Sequence, residues 1–208
     1  LMKICVFMHG AEKIADEFIR KKPDKEQYVC AAGISPSGSI HIGNFRDIAT
    51  ALFVCKALIK KGKKAKLLFS WDEFDRFRKV PKNVQDVDPE GKFEAYIGQP
   101  YTSVPNPFDT EHENYAKYFE AEFMEQMERF GIEMDYRYQT EMYTSGKYKD
   151  DVIEAISKRK EIFDILDSFR TQDAEEGERD AYFPVSIFCP VCGKDTTKIN
   201  SISDDNTV

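Results

Sequence analysis

Nothing in this 208-residue chain approaches the ~18 consecutive apolar residues of a membrane-spanning helix, so no helical span is expected. Cysteine occurs five times, an odd number that suits no disulfide framework and points to the reducing cytoplasm. Positive charge is in deficit: 30 Lys and Arg stand against 37 Asp and Glu, a formal charge of −7. That balance argues against a generally sticky nucleic-acid binder, although a local RNA contact needs only one basic face. The basic clusters at 60–64 and 158–160 are the candidates, with solvated helix ends and turns as the plainer reading. No internal repeat is present.

What the chain does have is an alternation of helical and strand patterns. Ala11, Ile14, Ala15, Phe18 and Ile19 recur at helical spacing over about 9–21, ahead of Pro23. Residues 28–32 read as a short strand buried on both faces and stopped at Gly33. Phe45, Ile48, Ala49, Leu52, Phe53, Cys55, Leu58 and Ile59 then mark a long helix, closed by Lys60, Lys61 and Gly62. Residues 65–71 form a second strand. Strand, crossover helix and strand within ~45 residues make a βαβ unit, which predicts an α/β fold with a Rossmann-like parallel sheet.

From Asp72 the chain turns polar, with prolines at 81, 89, 100, 105 and 107, as in an insertion or functional loop. A helix is expected from about Glu113, through Tyr115, Phe119, Phe123, Met127 and Phe130, to Gly131. A third strand follows at 132–138 and a long helix at about 148–170. Residues 182–188 read as a strand leading into Cys189-Pro190-Val191-Cys192-Gly193. The expected division is 9–80 as the first half of the Rossmann domain and 81–208 as a connective insertion ending in an incomplete zinc knuckle.

The stretch from Gly33 to Asn44 joins the first strand to the long helix. It reads Gly33-Ile34-Ser35-Pro36-Ser37-Gly38-Ser39-Ile40-His41-Ile42-Gly43-Asn44. Adenylyl transfer sends negative charge onto a departing pyrophosphate, and donors at a helix N-terminus answer that need without burying a free charge. His41 stands where the helix begins, Asn44 offers an amide, and Gly43 would let a nucleotide approach the backbone. The rival reading is a capped βα turn with an incidental histidine. Asp72, Glu73 and Asp75 leave the C-terminal edge of the second strand, where ligands of open α/β sheets bind. Their alternative is an internal pairing network with Arg76, Arg78 and Lys79. Cys189 and Cys192 form half of a zinc knuckle, two thiolates on one tight turn, or else a reactive thiol pair.

The block Pro36 to Asn44 resembles the first signature of class I aminoacyl-tRNA synthetases, with Asn44 where a second histidine usually stands. Together with Trp71-Asp72-Glu73-Phe74-Asp75-Arg76-Phe77-Arg78-Lys79-Val80-Pro81, it is similar to class I lysyl-tRNA synthetases of archaea and scattered bacteria. Val104-Pro105-Asn106-Pro107-Phe108, Glu113-Asn114-Tyr115-Ala116 and Thr140-Glu141-Met142-Tyr143 carry the likeness to about residue 190. The fold implied is a HUP-type Rossmann sheet, first half, with an α+β insertion.

The resemblance implies ATP-dependent activation of lysine, with Mg2+, and transfer to the acceptor stem of tRNA(Lys). His41 and Asn44 would contact ATP phosphates within a site that includes Pro36, Gly38 and Gly43. Gly33 and Ser35 would touch lysine. Asp72 and Asp75 would face its ammonium, a charge-assisted bond worth ~1.5–3 kcal/mol, with Glu73 turned outward. Structural zinc at Cys189 and Cys192 would need ligands beyond residue 208, because no Cys or His follows residue 192. Some relatives carry metal-ligand spacing near Val-Pro-Asp-Pro; Asn106, Glu111, His112 and Tyr118 stand there instead, so His112 reads as a polar turn residue.

No Lys-Met-Ser-Lys-Ser-like loop and no anticodon-binding domain occur in the 208 residues, so this length alone is expected to be weak or inactive. A monomer is expected. The competing functions are a small His-x-Gly-His nucleotidyltransferase, which leaves 71–81 unexplained, and a non-catalytic synthetase-like protein that binds tRNA or a partner.

Overall fold

The computed structural model describes residues 2–203, with side chains from Gly10 onward. Helix α1 (Met2–Lys21) leads to β1 (Tyr28–Ile34), α2 (Ile42–Lys60) and β2 (Ala65–Trp71). A short α3 (Lys82–Gln85) and two 3-10 turns precede α4 (Tyr115–Arg129) and β3 (Asp135–Tyr138). The chain ends in α5 (Gln139–Thr144), α6 (Lys149–Ser157), α7 (Arg159–Asp167) and α8 (Glu178–Ala181). The three strands form one parallel sheet in the order β1-β2-β3, with Gly33 opposite Ser70 and Trp71 between Ile34 and Tyr138. The expected α/β class and βαβ unit are both present.

The core lies where α2 and α4 cover β2. Phe69 and Trp71 are fully buried, and Phe123 of α4 packs on both, with ring centroids 4.9 and 5.1 Å away. Such aromatic contacts add ~0.5–1.5 kcal/mol each beyond the area they bury. Tyr101, Tyr115, Phe77, Phe119, Val84 and Val104 build a second core under the proline-rich stretch. That stretch is therefore anchored by its own apolar cluster rather than being an open loop.

Several boundaries differ from the sequence expectation. β1 runs through Gly33 to Ile34, and it alternates buried and exposed, with Val29 45 % exposed, instead of being covered on both faces. β3 pairs only from Asp135, three residues later than expected. The helix expected at 148–170 is two, broken at Lys158, where φ −97° and ψ 14° leave the helical region. Ser157 Oγ donates to the Glu154 carbonyl just before the break, competing with the helical ladder. No strand forms at 182–188: Arg159 Nη1 takes the carbonyls of Asp180 and Tyr182 (2.7 and 2.8 Å), and Pro184 has no N–H to give.

Part of each basic cluster is engaged internally. Lys60 and Lys61 pair with Glu12 and Asp16 of α1, both at 2.7 Å. Lys158 pairs with Glu154 and Lys160 with Asp180.

Candidate active site

The first element of the site is the start of α2. His41 is its N-cap: its Nδ1 accepts the Gly43 amide at 3.1 Å, and Asn44 Oδ1 accepts the His41 amide at 3.3 Å. This reciprocal capping box is the turn that the rival sequence reading described. It also disposes the chemistry. With Nδ1 accepting, the ring proton sits on Nε2, and with Oδ1 used, Asn44 retains its NH2 group. Capping therefore occupies Nδ1 of the neutral His41 ring and one lone pair of Asn44 Oδ1, and leaves the Nε2–H and NH2 donors open to a ligand. A helix N-terminus with two such donors suits an anion.

Gly43 acquires a second reason to be glycine. A Cβ there would lie 2.8 Å from His41 Cε1 and 2.9 Å from Nδ1, displacing the ring from its cap. The loop ahead of the cap is held from the second core, because the buried Tyr115 hydroxyl donates to the Ser37 carbonyl at 3.0 Å. Tyr101 stacks on Tyr115 with centroids 5.8 Å apart. Burial holds the Tyr115 hydroxyl well above its ordinary pKa, so it stays a donor. Tyr115 was legible only as a helix-face residue; no local pattern links it to a loop 78 residues earlier.

The second element is the turn after β2. Ser35 Oγ donates to Asp75 Oδ2 at 2.6 Å, joining the loop after β1 to the acidic cluster. Asp72 continues the ladder, its amide donating to the Ile34 carbonyl at 2.9 Å. Gly33, opposite Ser70, allows the two strand ends to close, since a Cβ on it would lie 2.7 Å from the Ser70 carbonyl oxygen. Burial, then the neighbouring Asp75 and Glu73 charges, push the Asp72 carboxyl above the usual carboxylate range. The Gln139 side chain pulls it partly back.

Glu73 is not turned outward. It is 1 % exposed, and its oxygens accept the amides of Thr140 (2.9 Å) and Gln139 (3.0 Å). An outward carboxylate would have left those buried amides unsatisfied. The alternative pairing of the acids with Arg76, Arg78 and Lys79 is not formed among the described residues: Arg76 Nη1 binds Asp195 instead, at 3.0 Å.

Asp72 and Asp75 open into a cleft of about 1300 Å³, above the ~300–1,000 Å³ usual for one small ligand. Phe74, Tyr143, Tyr148 and Phe188 form a connected run of rings along it, at centroid separations of 5.1–5.5 Å. Arg78 and Lys149 also line it, and among the described residues neither forms an ion pair. His41, Asn44, Pro36, Gly38 and Gly43 do not line this cleft, so the donor pair and the acids flank β1 as two separate regions joined by Ser35.

The third element is the cysteine turn. Gly193 donates to the Cys189 carbonyl and Cys189 to the Lys194 carbonyl, both at 2.8 Å. The Cys192 and Val191 amides bond the Cys189 sulfur and lower its pKa. Asp195 ties the turn to the site's rim through Arg76 and through the Gly98 carbonyl, 2.9 Å from its amide. Among the described residues no group of three or more His, Cys, Asp or Glu is placed to hold a metal. Two thiolates fit half a tetrahedral site and do not complete one. His112 is a turn residue, with Nδ1 2.9 Å from Asp109 Oδ2.

Comparison with known proteins bears on the same residues. The family model for class I tRNA synthetases (K) matches residues 8–208. The lysine–tRNA ligase of Thermococcus kodakarensis is 43 % identical over 188 residues, which are 90 % of this chain and 35 % of that protein. Those of Pyrococcus horikoshii and Treponema pallidum are each 39 % identical, covering 88 % and 96 % of this chain and 34 % and 37 % of theirs. The chain thus spans about a third of the length of the curated relatives it matches. A βαβ sheet carrying the His41–Asn44 cap and a family match across nearly its whole length place this chain in the class I tRNA synthetase (K) family.

Proposed function

We propose that this chain carries the lysine- and ATP-handling half of a lysine–tRNA ligase. The observation that carries the reading is the Ser35–Asp75 bond, because it joins the phosphate-facing loop to the acids that would take the substrate's ammonium. Lysine would lie across β1, with its carboxylate toward His41 and its ammonium toward Asp72 and Asp75. Gly33 and Ser35 would line the path between. A lysine carboxylate oxygen attacks the α-phosphorus of ATP; one P–O bond forms as the bond to pyrophosphate breaks. His41 Nε2–H and the Asn44 NH2 group would stabilise the charge on the phosphates, an effect worth ~10²–10³ in rate per donor in comparable sites. Pro36 and Gly38 shape the loop, and ATP enters as its Mg2+ complex.

In the second step a ribose hydroxyl at the tRNA 3′ end displaces AMP from the lysyl carbonyl. The ring run from Phe188 to Tyr148, with Arg78 and Lys149 beside it, supports a single-stranded RNA end, whose bases stack on aromatic faces for ~1–3 kcal/mol each. The stretch 81–208 would serve as the acceptor-stem insertion. A structural zinc held by Cys189 and Cys192 would take two further ligands to complete its tetrahedron. The protein is read as a cytoplasmic monomer.

The test is amino-acid-dependent exchange of pyrophosphate into ATP by the full-length protein, run across all amino acids. Exchange with lysine is expected; exchange with a different amino acid alone overturns the substrate, and none at all overturns the reaction.

A further inference from the structure

Arg76 stands one residue after Asp75 and lines the cleft together with Asp72 and Asp75. Its backbone is pinned there. It bridges Pro100 in antiparallel fashion, while the Phe77 amide donates to the Gln99 carbonyl at 2.7 Å and the Phe77 carbonyl accepts the Gly98 amide at 2.9 Å. Only the side chain has a choice of anion, and it takes Asp195, with Nη1 3.0 Å from Oδ2. Asp195 is fixed in turn: its amide donates to the Gly98 carbonyl at 2.9 Å, and a Cβ on Gly98 would lie 3.4 Å from its Oδ1. Resting on the reading above, in which Asp72 and Asp75 take the substrate's ammonium, we propose that Asp195 is a positioning residue: it holds the Arg76 guanidinium off those two acids and so keeps them open to a cationic substrate.

The physical case is one of competing cations. A guanidinium is a planar fork of donors that matches a carboxylate two bonds at a time, so it contests the acids that an ammonium would occupy. Among the described residues no cation pairs with Asp72 or Asp75, and the side chain that donates to Asp75 is a neutral one, the Ser35 hydroxyl. The Arg76–Asp195 pair itself adds little to the stability of the fold, because the Arg76 side chain is 54 % exposed and water screens it. Its consequence is local: it decides where that cation sits. Asp75 adjoins Arg76, yet the pairing is made with an acid 119 residues further on, whose side chain is only 12 % exposed. The cysteine turn carries that acid in. The Cys189 amide donates to the Lys194 carbonyl at 2.8 Å, and Gln99 Nε2 reaches the Cys192 carbonyl at 3.5 Å. Arg78, Lys149 and Asp151 are the other charged groups on the cleft walls.

The experiment compares the full-length parent with Asp195→Ala, Arg76→Met and the double variant that carries both. Lysine-dependent pyrophosphate exchange is followed, with the KM for lysine, the KM for ATP and kcat read separately. In Asp195→Ala the KM for lysine is expected to rise about tenfold, the scale of one charge-assisted hydrogen bond, while the KM for ATP stays within about twofold. Arg76→Met should leave the KM for lysine within about twofold of the parent, and the double variant should return to the same value. A double variant as weak as Asp195→Ala means that Asp195 acts through the fold and not through Arg76, and that outcome overturns the proposal. A KM for lysine raised in Arg76→Met alone makes Arg76 a substrate contact and overturns it too. A second measurement needs no turnover: the crystal structure of Asp195→Ala, or of Asp195→Asn if the alanine variant does not fold. The Arg76 guanidinium is expected within about 4 Å of an Asp72 or Asp75 carboxylate oxygen. A guanidinium turned to solvent, or still held at residue 195, overturns the proposal. If the parent exchanges no lysine, the functional reading fails, and the crystal structure still decides whether Asp195 keeps Arg76 from the acids.

Discussion

His41 Nδ1 lies 3.1 Å from the Gly43 amide, and a methyl group on Gly43 would fall 2.8 Å from the same ring. The residue that caps α2 is thus the residue whose Nε2–H is proposed to meet the ATP phosphates, so one imidazole would serve both stability and chemistry. His41→Asn separates them, because asparagine is among the best N-caps. This variant is expected to keep its unfolding midpoint while losing roughly 100-fold or more in pyrophosphate exchange. His41→Ala should lose both, with a stability cost of about 0.5–2 kcal/mol. Exchange retained in His41→Asn would remove the imidazole from the mechanism.

Gly33 tests the closure of the two strand ends. In Gly33→Ala the new Cβ meets backbone, the Ser70 carbonyl at 2.7 Å, which cannot swing aside as a side chain would. Chemical denaturation should report a loss of about 1–3 kcal/mol, typical of overpacking. The KM for lysine should rise as well, because Ser35 and Asp75 separate with the strands. An unchanged denaturation midpoint would show that the sheet absorbs the methyl.

Asp72 should trade stability against binding. Its folded-state pKa is raised above the ordinary 3.8 by burial and two acidic neighbours. Its contribution therefore favours the folded state below that ordinary value and is lost as the pH rises through the raised one. At neutral pH Asp72→Asn removes this penalty, so thermal melts should show a higher midpoint than the parent. Lysine-dependent exchange should fall sharply in the same variant. A lower midpoint at neutral pH would mean that the carboxylate stabilises the fold.

The cysteines should divide by reactivity. Burial pushes the Cys30 thiol up to about 11 and raises Cys55, whereas backbone amides lower Cys189. Thiolate is the reactive form. Brief alkylation at neutral pH, read by peptide mass spectrometry, should label Cys189 at least tenfold faster than Cys30 or Cys55. Comparable labelling of all three would contradict the stacked amides at the 189–193 turn. Protection of Cys189 by added zinc in the full-length protein would support a zinc held at this turn.

Much of this was written locally. The βαβ order follows from apolar spacing, since a helix repeats every 3.6 residues and a buried strand shows as a short continuous run. Gly33, Ser35, Asp72 and Asp75 stand within a few residues of strand ends, and His41 and Asn44 at the start of the following helix, on the edge where an open parallel sheet exposes its ligands. Local spacing also located the cysteine turn, while the polar role of His112 followed from the departure of 106–118 from the pattern of the family it resembles.

What spacing could not reach was decided by contacts across the fold. The direction of Glu73 depended on two amides 66 and 67 residues away that needed an acceptor. The hold on the Ser37 carbonyl came from Tyr115, and the cation beside the acids was claimed by Asp195, 119 residues on from Arg76. Coverage of β1 was likewise settled by which neighbours arrived. The sequence alone determined where donors and acids stand, because backbone geometry repeats locally. Only the tertiary structure decided which of them are spent on partners inside the protein, because a buried polar group takes whichever partner packing brings within reach.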